Sequence, residues 1–588
     1  MGDADATPAV GKKYSTELTD YSERPKEKSG PYAENLEVDV LVVGAGFSGI
    51  FMLKTLRERG LKTVIFEAGG NIGGTWRWNC YPGAAVDSEV PEYEFSFPEV
   101  WQTWSWTTNY PDYHEIRRYF DHVDKVLEVR KDVAFHTVVV GGQFDTSEGR
   151  WHIQTADGRT TKAKYLIAGT GFASRRYIPD WPGMDTFRGV IHHSSFWPDE
   201  HIDVRGKRCG VIGTGASGVQ IVQAWGPVAK ELLVFQRTPN LALPMRRRAI
   251  TPAEQTPEFK ALFYPPLFTL RERTFSGFRY DWMEKNTFDD SAEEREALYE
   301  RMWQAGGFRY WVANYKDTLK DAKANRAAYD FWAAKTRARV GDPRLRDLLA
   351  PLEPPHYFGV KRPCLEATYF EQFNRPSVDL VDLRTNNIAR FTPTGIEMQD
   401  GTHYALDTVA VATGFDVVTG AMTQLGLRNL AGQTLGEQWA KGADTYLGTM
   451  VRGFPNMFHL FGAHGPTLFS SGPSSLEVQG RWIADAITKM ERQQIRYMQP
   501  TAAATGTWKK RIYERSDETL FPTVKSTYMG GTVPGKVFEP VCYAGGIPDY
   551  QDDIRKALND MGGFEIVKTD GTVVVGRPRV AADAVNST

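Results

Sequence analysis

The chain has 588 residues, 41% of them apolar and 24% charged, with a formal net charge of −2. That length allows roughly two to four domains with a sizeable core. The near-zero charge without a long basic run argues against nucleic acid as a partner, the polar N-terminus against a secretory signal, and the lack of a long apolar segment against a membrane span. The four cysteines (Cys80, Cys209, Cys364, Cys542) are far apart and form no C-x-x-C, which speaks against a zinc ribbon or a disulfide framework and for a reducing, cytoplasmic setting.

Residues 1–36, rich in Lys, Glu, Ser, Pro and Gly, read as an arm on the surface. Val38–Val43 is a β-branched apolar run suited to a strand buried on both faces. Gly44, Gly46 and Gly49 follow at G-x-G-x-x-G spacing, with Phe47 and Ser48 inside the motif. The first glycine permits the tight turn, the second lets backbone approach a pyrophosphate, and the third lets the helix pack close to the strand. A helix is expected over Ile50–Arg59, its free N–H groups aimed at phosphate, then a strand from Leu61 ending in Glu67. A carboxylate there suits a ribose 2′-OH, as an adenosine without a 2′-phosphate presents. The glycine-rich segment Gly73–Asp87 reads as a functional loop. Asp132–Val140 and Arg150–Thr155 alternate like strands of a small antiparallel addition, and Tyr165–Ala168 is a short buried strand.

The opening pattern then recurs. Arg208–Ile212 is a strand, and Gly213-Thr214-Gly215-Ala216-Ser217-Gly218 is a second G-x-G-x-x-G. A helix from about Val219 leads to the strand Leu232–Phe235, which ends not in an acid but in Gln236-Arg237-Thr238. Arg237 can pair with a 2′-phosphate that an acid would repel. The first site is thereby assigned to FAD and the second to NADPH, with hydride passing from nicotinamide to flavin. Residues 252–350 are charged and aromatic at helical spacing, with Ser291–Glu294 as a capping box. Strands are expected around 378–398 and over Thr408–Ala412, a helix over Ser474–Met490, and a loose tail from 572.

Between the two glycine motifs lies Phe187-x-Gly189-x-x-x-His193-x-x-x-Trp197-Pro198. This segment resembles the fingerprint of the type I Baeyer–Villiger monooxygenases. The loop Gly74-x-Trp76-x-x-x-x-Tyr81-Pro82-Gly83-x-x-x-Asp87, the pair Lys361-Arg362 and the run Ala412–Asp416 are similar to further family signatures, so the resemblance covers about residues 37–560. It implies an α/β fold with two dinucleotide-binding, Rossmann-like domains for FAD and NADP and a helical insertion. The boundaries expected are a first FAD segment over 37–175, an NADP segment over 176–250, the insertion over 251–355, a second NADP segment over 356–404, and a second FAD segment over 405–571.

The resemblance implies NADPH- and O2-dependent insertion of oxygen beside a ketone by way of a C4a-peroxyflavin, giving an ester or lactone. It makes Arg362 the fixed cation that stabilises the anionic oxygens and Asp87 the carboxylate that orients it. Lys361, Arg237 and Thr238 would hold the 2′-phosphate. Trp76 and Tyr93 would lie near the flavin ring and Val139 near the adenine, with Thr75 also binding FAD. His193 would couple domains rather than move protons. The His192–His193 pair is no metal site, because adjacent strand residues point oppositely and no carboxylate or Cys lies nearby in sequence. One departure stands out: Ser526-Thr527-Tyr528 carries Thr where many relatives carry a Trp that contacts the nicotinamide cofactor, which hints at a bulky or cyclic ketone. The alternative within the same architecture is an N- or S-hydroxylating monooxygenase. A disulfide reductase would need a C-x-x-x-x-C that is absent, and a nucleotide sensor without catalysis has no sequence feature in its favour. A monomer or weak homo-oligomer is expected.

Overall fold

The computed structural model describes residues 35–466 and 469–577. The N-terminal arm therefore lies outside the described residues save for its last two positions, and Leu36 already opens the first strand.

The chain forms two α/β lobes and a helical insertion. The first lobe is built on a mixed sheet of eight strands. Its parallel centre pairs Leu36–Val43 with Thr63–Phe66 on one side and Thr160–Ala168 on the other, in register Val43↔Phe66 and Val43↔Ala168. Val40, Leu41 and Val42 are fully buried, as strands covered on both faces require. The expected antiparallel addition is present as Val139–Asp145 paired with Arg150–Thr155. The run expected as one strand over Asp132–Val140 is split, however. Val133–Ala134 extends the parallel edge beside Ile65–Phe66, and His136, at φ 51°, turns the chain before Val139 starts the hairpin. The helix Phe47–Arg57 starts three residues earlier than expected, and Gly480 of the long helix Gly472–Arg492 presses against its Phe51 ring. Met457–His459 joins the same sheet beside Leu166–Ala168, so chain from beyond residue 450 completes this lobe.

The second lobe holds five parallel strands in the order Val378–Asp382, Glu231–Gln236, Arg208–Ile212, Thr408–Val411, Val190–His193. Thr408–Val411, expected within the second FAD segment, lies next to the centre of this sheet instead. Its four residues are all buried between two parallel neighbours, so the crossing back to the first lobe falls after residue 412 rather than at 405. The tail expected from 572 also begins in structure: Val573–Val575 pairs antiparallel with Phe564–Lys568 as an edge strand, and residues 578–588 lie outside the described ones.

The insertion carries helices Pro257–Leu270, Ala292–Ala305, Ala322–Arg337 and Pro343–Leu349. Ser291 and Glu294 form the expected capping box, each side chain accepting from the other's backbone N–H. Trp332 ties the insertion to the second lobe by donating to the Ala242 carbonyl, at 2.9 Å. Its contact with the first lobe is ionic and dry: Arg271 and Glu477 pair at 2.8 Å with both side chains fully buried, and Lys260 donates to the carbonyls of Trp101 and Trp104. No helix among the described residues is long and apolar enough to cross a membrane.

Candidate active site

Both glycine motifs make the same turn. Gly44 and Gly213 sit at φ 103° and 106°, where a Cβ would be strained, and a Cβ on Gly49 or Gly218 would collide with the Gly44 or Gly213 carbonyl. The following helices, Phe47–Arg57 and Ala216–Trp225, have glycine N-caps and no side-chain cap. Their first N–H groups are thus left to a ligand. At Gly215 a Cβ would meet nothing within 4 Å, so the ground before the second helix is open.

Before the first helix lies a deep cavity. Gly44, Gly46, Phe47, Ser48, Glu67, Gly74, Thr75, Trp76, Tyr93 and Val139 all line it. Glu67 is buried and accepts hydrogen bonds from the N–H groups of Ala45 and Gly69, both at 2.7 Å. Burial raises its pKa against the pull of those bonds. Trp76 donates its indole N–H to the Tyr93 hydroxyl at 3.0 Å, so the two rings are fixed as a pair. Gly49 and Asp87 do not line this cavity: Gly49 is spent on helix–strand packing, and Asp87 faces Arg362. Sequence reading missed further lining from Gly169–Ser174, Phe461, Gly472, Pro473 and Leu476. The Gly169-Thr170-Gly171 turn at the end of a parallel strand was the available signal.

Arg362 and Asp87, 275 residues apart, form a two-pronged ion pair, Nε to Oδ2 at 2.8 Å and Nη2 to Oδ1 at 3.0 Å. The guanidinium also lies over the Phe308 ring, 4.5 Å from its centroid, with Trp311 at 5.7 Å. Burial works against its charge, but the charge and hydrogen bonds of Asp87 outweigh it and raise the pKa. The arginine is therefore a permanent cation with its plane fixed by a carboxylate and an aromatic floor.

Arg237 is exposed at the end of its strand, and Thr238 is tied in through its carbonyl, which accepts from Thr214 Oγ1 at 2.6 Å. Burial, and then the nearby charge of Arg237, lower the pKa of Lys361. Neither cation has a carboxylate partner among the described residues, so the two leave unneutralised positive charge near each other. The loop carrying Asp87 reaches this lobe as well. Tyr81 donates to Gln220 of the second glycine helix at 2.8 Å, and Gln220 donates back to the Ala85 carbonyl at 3.0 Å. Ser217 lies close enough to hydrogen-bond the same tyrosine.

The fingerprint runs from the core of the second lobe, at Phe187 and Gly189, to contact with the first lobe at Trp197 and Pro198. Gly189 approaches the Asp407 carbonyl so closely that a Cβ would lie 2.5 Å from it, and Phe187 packs edge-on to Phe391. His193 is buried, with Nδ1 accepting from the Ser195 N–H at 3.1 Å and Nε2 therefore donating to the Gly414 carbonyl at 3.1 Å. Burial, with the charge of Arg176, lowers its pKa to about 3, so the imidazole stays neutral. Gly414 lies on the chain returning to the first lobe. That chain is bonded to the outgoing one, Tyr177 N–H to Gly414 O and Asp416 N–H to Arg175 O, both at 2.8 Å. Trp197 packs on Trp225, and the carbonyls of Trp197 and Pro198 face the Cys80 thiol at 3.4 and 3.7 Å. Thr527 is half-buried on the turn that follows Ser526.

Two glycine turns of dinucleotide-binding form, the first opening on a deep cavity, together with an arginine held by a carboxylate of the first lobe, define a class of two-dinucleotide redox enzymes. The family model described as flavin-binding monooxygenase-like matches residues 37–247. An FAD-binding monooxygenase of Aspergillus aculeatus (acrE) is 57% identical over 558 residues, 95% of this chain and 94% of that one. Cyclopentanone 1,2-monooxygenase of Comamonas sp. is 40% identical over 516 residues, 88% and 93% of the two chains. A solved structure of oxidized steroid monooxygenase bound to NADP superposes with a TM-score of 0.85 at 35% identity, over 90% of this chain and all of that one. The chain belongs to the type I Baeyer–Villiger monooxygenases.

Proposed function

We propose that this enzyme uses FAD and NADPH to insert one atom of O2 beside the carbonyl of a bulky or cyclic ketone, giving an ester or lactone. FAD fits the cavity at the first glycine turn, where the uncapped helix N-terminus would face the pyrophosphate and Glu67 the ribose, and NADPH fits the second glycine turn, where Arg237, Thr238 and Lys361 would hold a 2′-phosphate. Reduced FAD supplies the activation of O2. The residues of the chain supply the electrostatics: Arg362, fixed by Asp87, stabilises negative charge on the attacking oxygen and on the ketone oxygen as it loses its double bond. The observation that carries this reading is the Arg362–Asp87 pair, which joins a loop of the first lobe to chain beyond the insertion and whose charges act on Tyr93 in the wall of the first cavity. Thr527 is smaller than the indole that many relatives carry at this position, which supports a bulky substrate.

The test is NADPH oxidation by the flavin-loaded protein with a ketone panel from cyclohexanone to steroids and macrocycles, products read by mass. An ester or lactone one oxygen heavier than the ketone is expected. Products from amines or sulfides alone would assign the enzyme to N- or S-hydroxylation instead. Thr527→Trp should cut the rate on large ketones relative to small ones; unchanged relative rates would remove Thr527 from substrate choice.

A further inference from the structure

One buried polar group within the electrostatic influence of the arginine has no assigned task. Tyr528 is fully buried on the turn after Ser526, its N–H bonded to Ser526 Oγ at 3.2 Å and its carbonyl accepting from the Val541 N–H at 2.9 Å. Its ring stacks on Phe521 with centroids 4.7 Å apart. The backbone and ring are thus locked, yet the hydroxyl, also buried, has no hydrogen-bond partner among the described residues. Other buried tyrosine hydroxyls do find partners, as where Tyr310 donates to Ala328 O at 2.7 Å and Tyr550 to Leu447 O at 2.6 Å. Tyr299 and Tyr369 also lack a partner, but neither feels the charge of Arg362. Tyr528 does, together with that of Asp87.

A donor left unpaired in a dry site costs free energy and is retained where a ligand completes it. Resting on the function proposed above, we infer that Tyr528 is a further catalytic residue, its hydroxyl donating a hydrogen bond to the carbonyl oxygen of the bound ketone alongside Arg362. Burial raises the phenol pKa well above its usual value even though Arg362 pulls it down, so the group acts as a neutral donor that keeps its proton. One charged and one neutral donor on the same oxygen form a preorganised pair for an oxyanion. A thioether has no such oxygen, so the pair matters to a ketone and little to a sulfide.

The experiment is Tyr528→Phe in the flavin-loaded enzyme, with the ketone the wild type turns over best and with methyl phenyl sulfide. Ketone kcat should fall about 10- to 100-fold, with more NADPH diverted to hydrogen peroxide, while sulfoxidation falls far less. A second reading does not need turnover. With 3-fluorotyrosine in place of tyrosine, the resonance lost in Tyr528→Phe should shift when the oxidised enzyme is saturated with the ketone. Equal losses on ketone and sulfide would make Tyr528 a packing residue, and a change confined to the NADPH KM would place its hydroxyl on the nicotinamide cofactor; either overturns the inference. An unchanged ketone rate with no fluorine shift overturns it while leaving Baeyer–Villiger chemistry standing. A wild type that oxygenates no ketone takes down both.

Discussion

Asp87 offers both carboxylate oxygens to Arg362, and the guanidinium answers with Nε and Nη2, a fit that a lysine ammonium cannot reproduce. Arg362→Lys should therefore lose ketone oxygenation by about 10²-fold or more while hydride transfer from NADPH survives, as stopped-flow flavin bleaching would report. Asp87→Asn keeps the shape but removes the charge, and should lower the same step with a smaller loss. Arg237 and Lys361 belong to a different term. Replacing both by alanine should raise the NADPH KM about 10- to 100-fold and leave the NADH KM nearly alone; equal effects on the two cofactors would take the pair away from the 2′-phosphate. The glycines, Glu67 and Arg237 were legible in the sequence from spacing and charge, whereas Lys361 and Arg362 were picked out by the resemblance to the family. Tyr528, and the Phe308 floor beneath Arg362, were not, since what marks them is a missing hydrogen bond and a ring contact between distant segments.

Among the elements, the helix Pro257–Leu270 shows how the insertion is held. Its Lys260, and the Arg271 that follows it, enter the first lobe beside Glu94 and Glu477, all four side chains buried. Glu94 accepts from the Trp106 indole at 2.7 Å, and burial raises its pKa to about 8 against the charges of Lys260 and Arg271. The folded protein thus keeps this proton while the unfolded chain, with an ordinary carboxyl near 4.5, gives it up. Glu94 stabilises most below about pH 4.5, and its contribution is lost as pH rises to about 8. Melting of Glu94→Gln and wild type at pH 6 and 8.5 should show the difference moving in favour of the variant at the higher pH, on the order of 2 °C; parallel profiles would mean that Glu94 is ionised in the fold. The strands and helices here were readable because their periods are local. The break at His136 was not, because a histidine at positive φ leaves no mark in an alternating pattern.

At the scale of the whole molecule, the alternation of glycine motifs told of two lobes, but not where the chain recrosses. Thr408–Val411 reads as a buried strand in either lobe, and only its pairing with Arg208–Ile212 and Val190–His193 assigns it to the second. The neutral imidazole of His193 then holds the recrossing chain through the Gly414 carbonyl. His193→Phe should leave each lobe folded and slow flavin reduction by NADPH several-fold, with no change in that loss between pH 6 and 9; a loss that tracked pH would give the histidine an acid–base task.

The two crossings are hydrogen-bonded to each other from Phe172–Tyr177 to Gly414–Val418, with Arg176 bridged to Phe415. A single strand between bodies is a universal joint, whereas two strands zipped together are a hinge with a pin. Such a hinge would let the second lobe rock about the pin rather than slide sideways, so any exchange of ligands between the lobes would follow one angular coordinate. Loosening the pin, as with Gly414→Pro–scale damage to the zipper, should broaden the interlobe distance distribution measured between paired spin labels without altering either lobe's own fold.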